Sequence, residues 1–298
     1  MLNIEKYGAI DIGSNAIRLL ITTVIEQKNK ETKFKKTSLI RVPIRLGADV
    51  FTKGDISDVN FDRMVDSLNA FKLLMKSHNI DKYRACATSA MREATNGKEI
   101  SEKLLKETGI NIEIIDGDDE AKIIASTGLK TYLVHDKTFL YVDVGGGSTE
   151  LTIFSEGNTV ISRSFKNGTV RLINNLVDES MWLEMKNWIK ENTKNYNHIT
   201  LLGTGGNINS TYKFSGIKLG TPMSYKYLIE YFNEVSSMSY EDRISKLNMN
   251  PDRADVIIPA LRIYISAMKW SGAEEVYVPK IGLSDGIIRS LYNEKLKG

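Results

Sequence analysis

One cysteine, Cys86, occurs in the 298 residues. An intramolecular disulfide is therefore excluded, and a reducing compartment is expected. Flanked by apolar, strand-like sequence, Cys86 reads as a small core residue rather than a nucleophile. Histidine is almost as scarce: His78, His135 and His198 are scattered, without the spacing of a zinc site. Each reads as a surface or helix-end residue. A membrane-length apolar run is also missing, since the most apolar early stretch, Ala9 to Ile25, is interrupted by Asp11, Asn15 and Arg18. Met1 to Tyr7 lack the basic-then-apolar build of a secretory signal. A cytoplasmic protein without a membrane partner is expected. The formal net charge of +3 is too small to specify a nucleic-acid binder, and none is expected as partner. It leaves room for local basic patches facing an anionic substrate.

What is present reads as a folded chain. With 42% hydrophobic and 26% charged residues, disorder is disfavoured, and the length suits two ordinary domains or one large one. Tyr7 to Ile25 reads as strand, Gly-Ser-Asn turn and strand, and Lys28 to Lys36 as a charged hairpin tip. Asn60 is placed as the cap of a helix carrying Phe61, Met64, Val65, Leu68 and Phe71 at helical spacing. Further strands are expected at Tyr83 to Ala87, Ile112 to Ile115, Phe139 to Val144 and Leu151 to Phe154. Thr88 to Ala94 reads as a loop entering a helix, and another helix begins near Asp118. Trp182, Met185, Trp188 and Ile189 make a stripe of core packing. Asn250-Pro251 opens a long helix, with Pro259 as the place for it to bend. This alternation favours an α/β architecture.

A short internal repeat organises the chain. Ala9-Ile-Asp-Ile-Gly-Ser14 superimposes on Tyr141-Val-Asp-Val-Gly-Gly146, aligning Asp11 with Asp143, Gly13 with Gly145 and Leu19 with Leu151. Two copies of a strand–glycine turn–strand unit suggest two related domains, each offering a turn to a shared cleft. Glycine allows close backbone approach, so successive N–H groups can face phosphate oxygens. Ser14, Asn15, Ser148 and Thr149 are placed to add side-chain hydrogen bonds. Gly203-Thr-Gly-Gly206, after the apolar Ile199 to Leu202, is a third such turn. Any one of them alone reads as a tight hairpin; three at strand ends favour phosphate binding. Neither a Walker-type phosphate loop nor the dinucleotide spacing is present.

Carboxylates beside an anion cradle would repel a phosphate unless a divalent cation lay among them. Mg²⁺ takes hard oxygen ligands and bridges one or two carboxylates to substrate phosphates. Asp143 and Glu150, on the strands flanking the second turn, are the expected magnesium ligands, and Asp11 is the equivalent acid at the first. Asp116-Gly-Asp-Asp-Glu120 opens a helix, where acids complement the dipole; the alternative is that one carboxylate activates an attacking water. Arg92 suits contact with the transferring phosphoryl group. Turns, metal, arginine and a water-orienting acid form a sufficient set for phosphoryl transfer to water.

Together these residues resemble the exopolyphosphatase and guanosine pentaphosphate phosphohydrolase (Ppx/GppA) family. The matching blocks are Ala9 to Asn15 with Arg18, Ala87 to Ala94, Ile115 to Ala121, Val142 to Leu151, Gly203 to Gly206, Arg253 to Ile257 and Gly282 to Gly286. The resemblance implies two ribonuclease-H-like domains of the actin-like, sugar kinase and heat-shock ATPase superfamily flanking a cleft. One would span 1–121, joined by a last helix at about 284–298, and the other 122–283, in the family's short two-domain form. It also implies catalytic roles for Glu120, Arg92 and Asp143, with Glu120 as the water-activating base, and a magnesium site at Asp143 and Glu150. Phosphate would be held by Asp11, Gly13, Ser14, Asn15, Arg18, Gly145, Gly146, Gly147, Ser148, Gly205, Gly206 and Arg253. Three departures stand out: Asp119 where glutamate is usual, Asn207 where threonine is common, and Ser284 in a place often held by arginine.

The expected activity is Mg²⁺-assisted release of terminal phosphate from inorganic polyphosphate, with short chains preferred, or from guanosine pentaphosphate. A kinase of the same fold would need an acceptor pocket and a nucleotide platform. A non-catalytic sensor of polyphosphate need not keep Asp143, Glu150 and Glu120 together. A homodimer is compatible with the sequence, which does not set the oligomeric state.

Overall fold

The structure, a computed structural model, describes residues 2–80, 82–125, 127 and 137–297. His135 lies outside them. Two compact units divide the chain, Met1–Thr127 with Gly282–Gly298, and Gly128–Ile281.

The first unit runs β1 (Leu2–Ile12), β2 (Ile17–Gln27), β3 (Lys33–Val42), α1 (Leu46–Lys53), α2 (Asp58–Ser77) and β4 (Lys82–Ala87). It continues with α3 (Ser89–Glu93), α4 (Gly97–Thr108), β5 (Ile112–Ile114) and α5 (Gly117–Ala125). The second unit opens with β6 (Thr138–Val144), β7 (Thr149–Ser155), β8 (Asn158–Phe165), α6 (Thr169–Ile173), α7 (Glu179–Thr193) and β9 (Ile199–Thr204). Then come α8 (Gly206–Phe214), β10 (Met223–Ser224), α9 (Tyr225–Ser237), α10 (Tyr240–Ser245), α11 (Pro251–Ala254), α12 (Ile257–Ser271) and β11 (Glu275–Tyr277). The last helix, α13 (Leu283–Lys297), belongs to the first unit.

The sheets are ordered β3-β2-β1-β4-β5 and β10-β11-β9-β6-β7-β8. In each, an antiparallel hairpin is followed by a parallel neighbour of its first strand, β4 on β1 and β9 on β6. The first and third strands of each hairpin set flank the second, and the sixth strand β10 is an edge addition. This is the ribonuclease-H-like order, so the α/β fold class read from the sequence is found in both units. Tyr7 to Ile12 are buried without alternation, as a strand with a parallel neighbour and helices on both faces requires.

On one face of the first sheet, Ile10, Ile12, Ile17, Leu19 and Ile21 pack with Met64, Leu68 and Phe71 of α2. That helix begins earlier than its sequence suggested. Ser57 is the cap, accepting from the Asn60 amide at 3.3 Å, while Asn60 gives its side-chain amide to Asp49. Helix α13 is tied to β1 and β2 by Tyr292, which donates to Glu26 at 2.6 Å, and by Lys295, 2.7 Å from Glu5. Its Gly286 lies against the Ile123 carbonyl of α5, where a methyl group would overlap backbone. That packing keeps α5 in the first unit, so the division falls after Thr127 rather than near Ala121, and the chain returns at Gly282. In the second unit Leu140, Val142, Leu151, Ile153 and Leu201 pack with α7 and α12, and Met185, Trp188 and Ile189 form the buried stripe, with Trp182 partly buried.

Two further expectations are corrected. The stretch 28–36 is a hairpin tip only as far as Thr32; from Lys33 it is the edge strand β3, where lysines discourage pairing with other chains. The long helix after Asn250 is two helices, broken at Asp255 and Val256. The Pro259 ring would clash with the carbonyl four residues back, that of Asp255, so helix α12 starts afresh and Pro259 sits unkinked in its first turn. Among the described residues no helix is long and apolar enough to cross a membrane.

Candidate active site

The two turns have the same skeleton. The Gly13 amide donates to the Ala16 carbonyl at 3.1 Å, and the Gly145 amide to the Ser148 carbonyl at 3.0 Å. The registers match as well, with Asp11 opposite Arg18 and Asp143 opposite Glu150. In the first unit the pair is an ion pair: Arg18 Nη1 lies 3.0 Å from the buried Asp11 Oδ2. Ser284, in the place often held by arginine, sets its hydroxyl 3.5 Å from the same oxygen. The Ser14 hydroxyl is engaged with Ser89 Oγ at 2.9 Å, and the Ser14 and Asn15 carbonyls accept from the Gly47 and Arg45 amides at 2.8 and 3.1 Å.

In the second unit the opposed residues are two carboxylates. Directly opposed like charges destabilise a strand pair. Glu150 is buried and accepts from the Ser148 hydroxyl at 2.5 Å and the Ser164 hydroxyl at 3.0 Å. Ser148 thus spends its hydroxyl on Glu150, since the two lie on the same face of the strand. Thr149 points the other way and is corrected as a phosphate contact: fully buried, it donates to the Asn167 carbonyl at 2.7 Å.

All three glycine carbonyls of this turn are held by one segment. Gly145 accepts from the Thr169 amide at 3.0 Å, Gly146 from the Val170 amide at 2.8 Å and Gly147 from Arg171 Nε at 2.7 Å. Arg171 is buried, and Gly168 approaches Gly146 so closely that a methyl group would overlap it. The sequence reading missed Gly168 to Arg171, and likewise Arg45 and Gly47. Both segments follow the third strand of their hairpin sets, so extending the internal repeat by one strand would have found them.

Gly205 and Gly206 lead from β9 into α8. Gly205 has φ 108°, a conformation open to glycine, and its bare Cα stands by Asp143 Oδ1 and the Val144 carbonyl. Arg253 lies over Gly206, where any side chain would overlap the guanidinium, and donates to the buried Asn207 Oδ1 at 3.3 Å. An arginine thus stands at the positive end of α8, an arrangement suited to anions. Asp143 accepts from the Tyr141 hydroxyl at 3.2 Å; Tyr141 accepts from Thr204 Oγ1 at 2.7 Å, and Tyr264 donates to the Thr204 carbonyl. Burial first, and then the Asp143 carboxylate, push both phenols well above their ordinary range, so both remain donors.

Glu120 is buried on α5 of the first unit. The acids before it differ in their partners. Asp116 accepts from the Asp119 amide at 2.8 Å, capping the helix, and Asp119 pairs with Lys122 at its exposed surface. Glu120 alone of the four is buried. Arg92 donates to the Ile115 carbonyl at 2.8 Å, just ahead of this helix. Cys86 is a core residue whose thiol burial pushes up to about 12, His78 closes α2, and His198 is exposed.

Comparison with known proteins agrees with this geometry. Residues 24–295 match the model of the Ppx/GppA phosphatase family. The chain belongs to that family. Family relatives include exopolyphosphatase 1 of Mycobacterium tuberculosis, 21% identical over 95% of this chain and 87% of its own length. The bifunctional 3-dehydroquinate synthase/phosphatase of Fusobacterium nucleatum is 28% identical over 92% of the chain, which spans 46% of that relative. A guanosine-5'-triphosphate,3'-diphosphate pyrophosphatase of Aeromonas hydrophila is 24% identical over 98% of the chain and 60% of its own length. Among solved structures, an exopolyphosphatase from Cytophaga hutchinsonii shares the fold with a TM-score of 0.83, at 23% identity over 97% of this chain and 98% of that one. The family member from Aquifex aeolicus gives 0.75 over 98% and 99%.

Proposed function

We propose that the chain hydrolyses terminal phosphoanhydride bonds, releasing phosphate from inorganic polyphosphate, with short chains preferred. The observation that carries this reading is the facing pair Asp143 and Glu150 beside a glycine turn whose carbonyls are all bound by residues 169–171. A turn held through its carbonyls, and closed by the Gly145 amide, keeps its shape while its other amides would donate to a phosphate. The family and the name of the mycobacterial relative support the substrate class.

The donor set fits magnesium. It consists of the hard carboxylate oxygens of Asp143 and Glu150. Mg²⁺ keeps its waters and asks for one or two carboxylates, which is what the second unit offers. Magnesium bound at Asp143 and Glu150 would neutralise the like-charge pair and the phosphate oxygens that approach it. Gly145 to Ser148 would orient the phosphate, Arg253 and Arg92 would pair with its oxygens, and Glu120 would accept the proton of the attacking water. The name of the Aeromonas relative supports guanosine pentaphosphate as the alternative substrate, with the same bond cleaved.

Phosphate release from long polyphosphate, short polyphosphate, guanosine pentaphosphate and ATP, with and without Mg²⁺, tests the reading. Fastest release from short polyphosphate, dependent on Mg²⁺, is expected, and no release from any of the four would sink it. Glu120→Gln should still bind polyphosphate and lose about 10²–10⁴ in rate. A rate within a few-fold of the unmodified enzyme would show that the base is another residue.

A further inference from the structure

Behind Asp143 stands a relay of hydroxyls that makes no use of phosphate. Tyr141 precedes Asp143 by two on β6, so both side chains leave the same face of the strand. Thr204 pairs with Asp143 in the β6–β9 register, which carries its hydroxyl to the Tyr141 oxygen at 2.7 Å. Having accepted there, Tyr141 directs its own proton at Asp143 Oδ2, 3.2 Å away. Tyr264 of α12 fixes the far end through the Thr204 carbonyl. On the other side of the carboxylate, Oδ1 borders the bare Cα of Gly205.

Core packing alone does not call for these hydroxyls. Tyr141 and Tyr264 are fully buried, and phenylalanine would fill the same volume without polar atoms that need partners. The hydroxyls of Thr204 and Tyr141 lie on a path that ends at one carboxylate oxygen, and that of Tyr264 anchors the Thr204 backbone. Outer partners of this kind orient a ligating carboxylate and tune the metal it holds.

We propose that Tyr141 is a positioning residue for the metal site: its hydroxyl, aligned by Thr204, holds the Asp143 carboxylate in the orientation that binds a divalent cation. The inference rests on the reading of Asp143 and Glu150 as the magnesium ligands.

Calorimetric titration of Mg²⁺ into the substrate-free chain, with thermal unfolding measured alongside, tests it. Tyr141→Phe should weaken Mg²⁺ binding about tenfold while the metal-free midpoint stays close to that of the unmodified protein. A purely structural role would instead lower the midpoint and leave the affinity unchanged. Mg²⁺ affinity within twofold for Tyr141→Phe, when Asp143→Asn abolishes binding, overturns the positioning role and leaves the magnesium reading standing. If the unmodified chain binds no Mg²⁺, or Asp143→Asn binds it equally well, both fall. Should Tyr141→Phe not fold, Thr204→Val removes the donor that aligns Tyr141; about a threefold loss is expected from this more distant partner, and unchanged affinity overturns the proposal.

Discussion

Opposite Asp11 the first unit places Arg18, whereas opposite Asp143, at the same register of the same kind of hairpin, the second unit places Glu150. The backbones agree down to the amide that closes each turn, Gly13 to Ala16 and Gly145 to Ser148. In each, a segment following the third strand binds turn carbonyls: Arg45 and Gly47 in one, Thr169 to Arg171 in the other. Arg45 does this in a left-handed conformation, φ 61°, which costs a non-glycine residue about 1 kcal/mol or more. One repeated scaffold thus carries opposite electrostatic solutions. The first hairpin pairs its carboxylate with its own arginine; the second sets another carboxylate there, the two acids proposed above to hold magnesium.

The sharpest way to break this contrast is at Glu150. Glu150→Gln removes the charge that distinguishes the second hairpin, and Mg²⁺ affinity measured by calorimetry should fall by more than the roughly 10–100-fold typical of outer partners. Next in size is Gly206→Ala, whose methyl group must push the Arg253 guanidinium aside. A loss of between about tenfold and 10²-fold in kcat/KM for polyphosphate is expected from such a misplacement, with the fold retained by circular dichroism.

The mirror experiment in the first unit is Arg18→Met, which leaves buried Asp11 without its counter-charge. Because the arginine is about one-third exposed, a stability loss of about 1–3 kcal/mol in urea unfolding is expected rather than more. Mg²⁺ affinity should be untouched, since this hairpin supplies its own cation. The smallest effect lies at the far end of β1. The Lys295 hydrogen bond, then that of Tyr7, lowers the Glu5 carboxyl from 4.5 to about 2. Lowered in the folded state, it contributes stability above the unfolded value and loses it as pH falls from about 4.5 towards 2. Lys295→Met should flatten that part of the pH–stability profile from urea unfolding by less than about 1 kcal/mol, the ion pair being partly exposed at the surface.

What could be read from the sequence was local. Asp143, the three glycines and Glu150 lie within one hairpin, so spacing alone brings them together, and the repeated hairpin suggested two related units. Helix caps were less legible: Ser57 and Asn60 are both good caps, and the contact of Asn60 with Asp49, far back in the chain, decided between them. The break before α12 was legible in principle, for Pro259 forbids the preceding carbonyl its place in a helix. The expected Thr149 contact failed because strand alternation was not carried past Ser148.

Residue types and their order determined the family, the doubled hairpin and the acids beside the second glycine turn, because each depends on neighbours a few residues apart. Tertiary structure alone decided which carboxylate of the Asp116–Glu120 cluster is buried, that Ser164 joins Ser148 on Glu150, and that Arg171 stands behind the turn and Thr204 behind Tyr141. Those contacts join residues that only the closing of a sheet brings within hydrogen-bonding distance, and burial then makes each unmet polar group costly enough to fix them there.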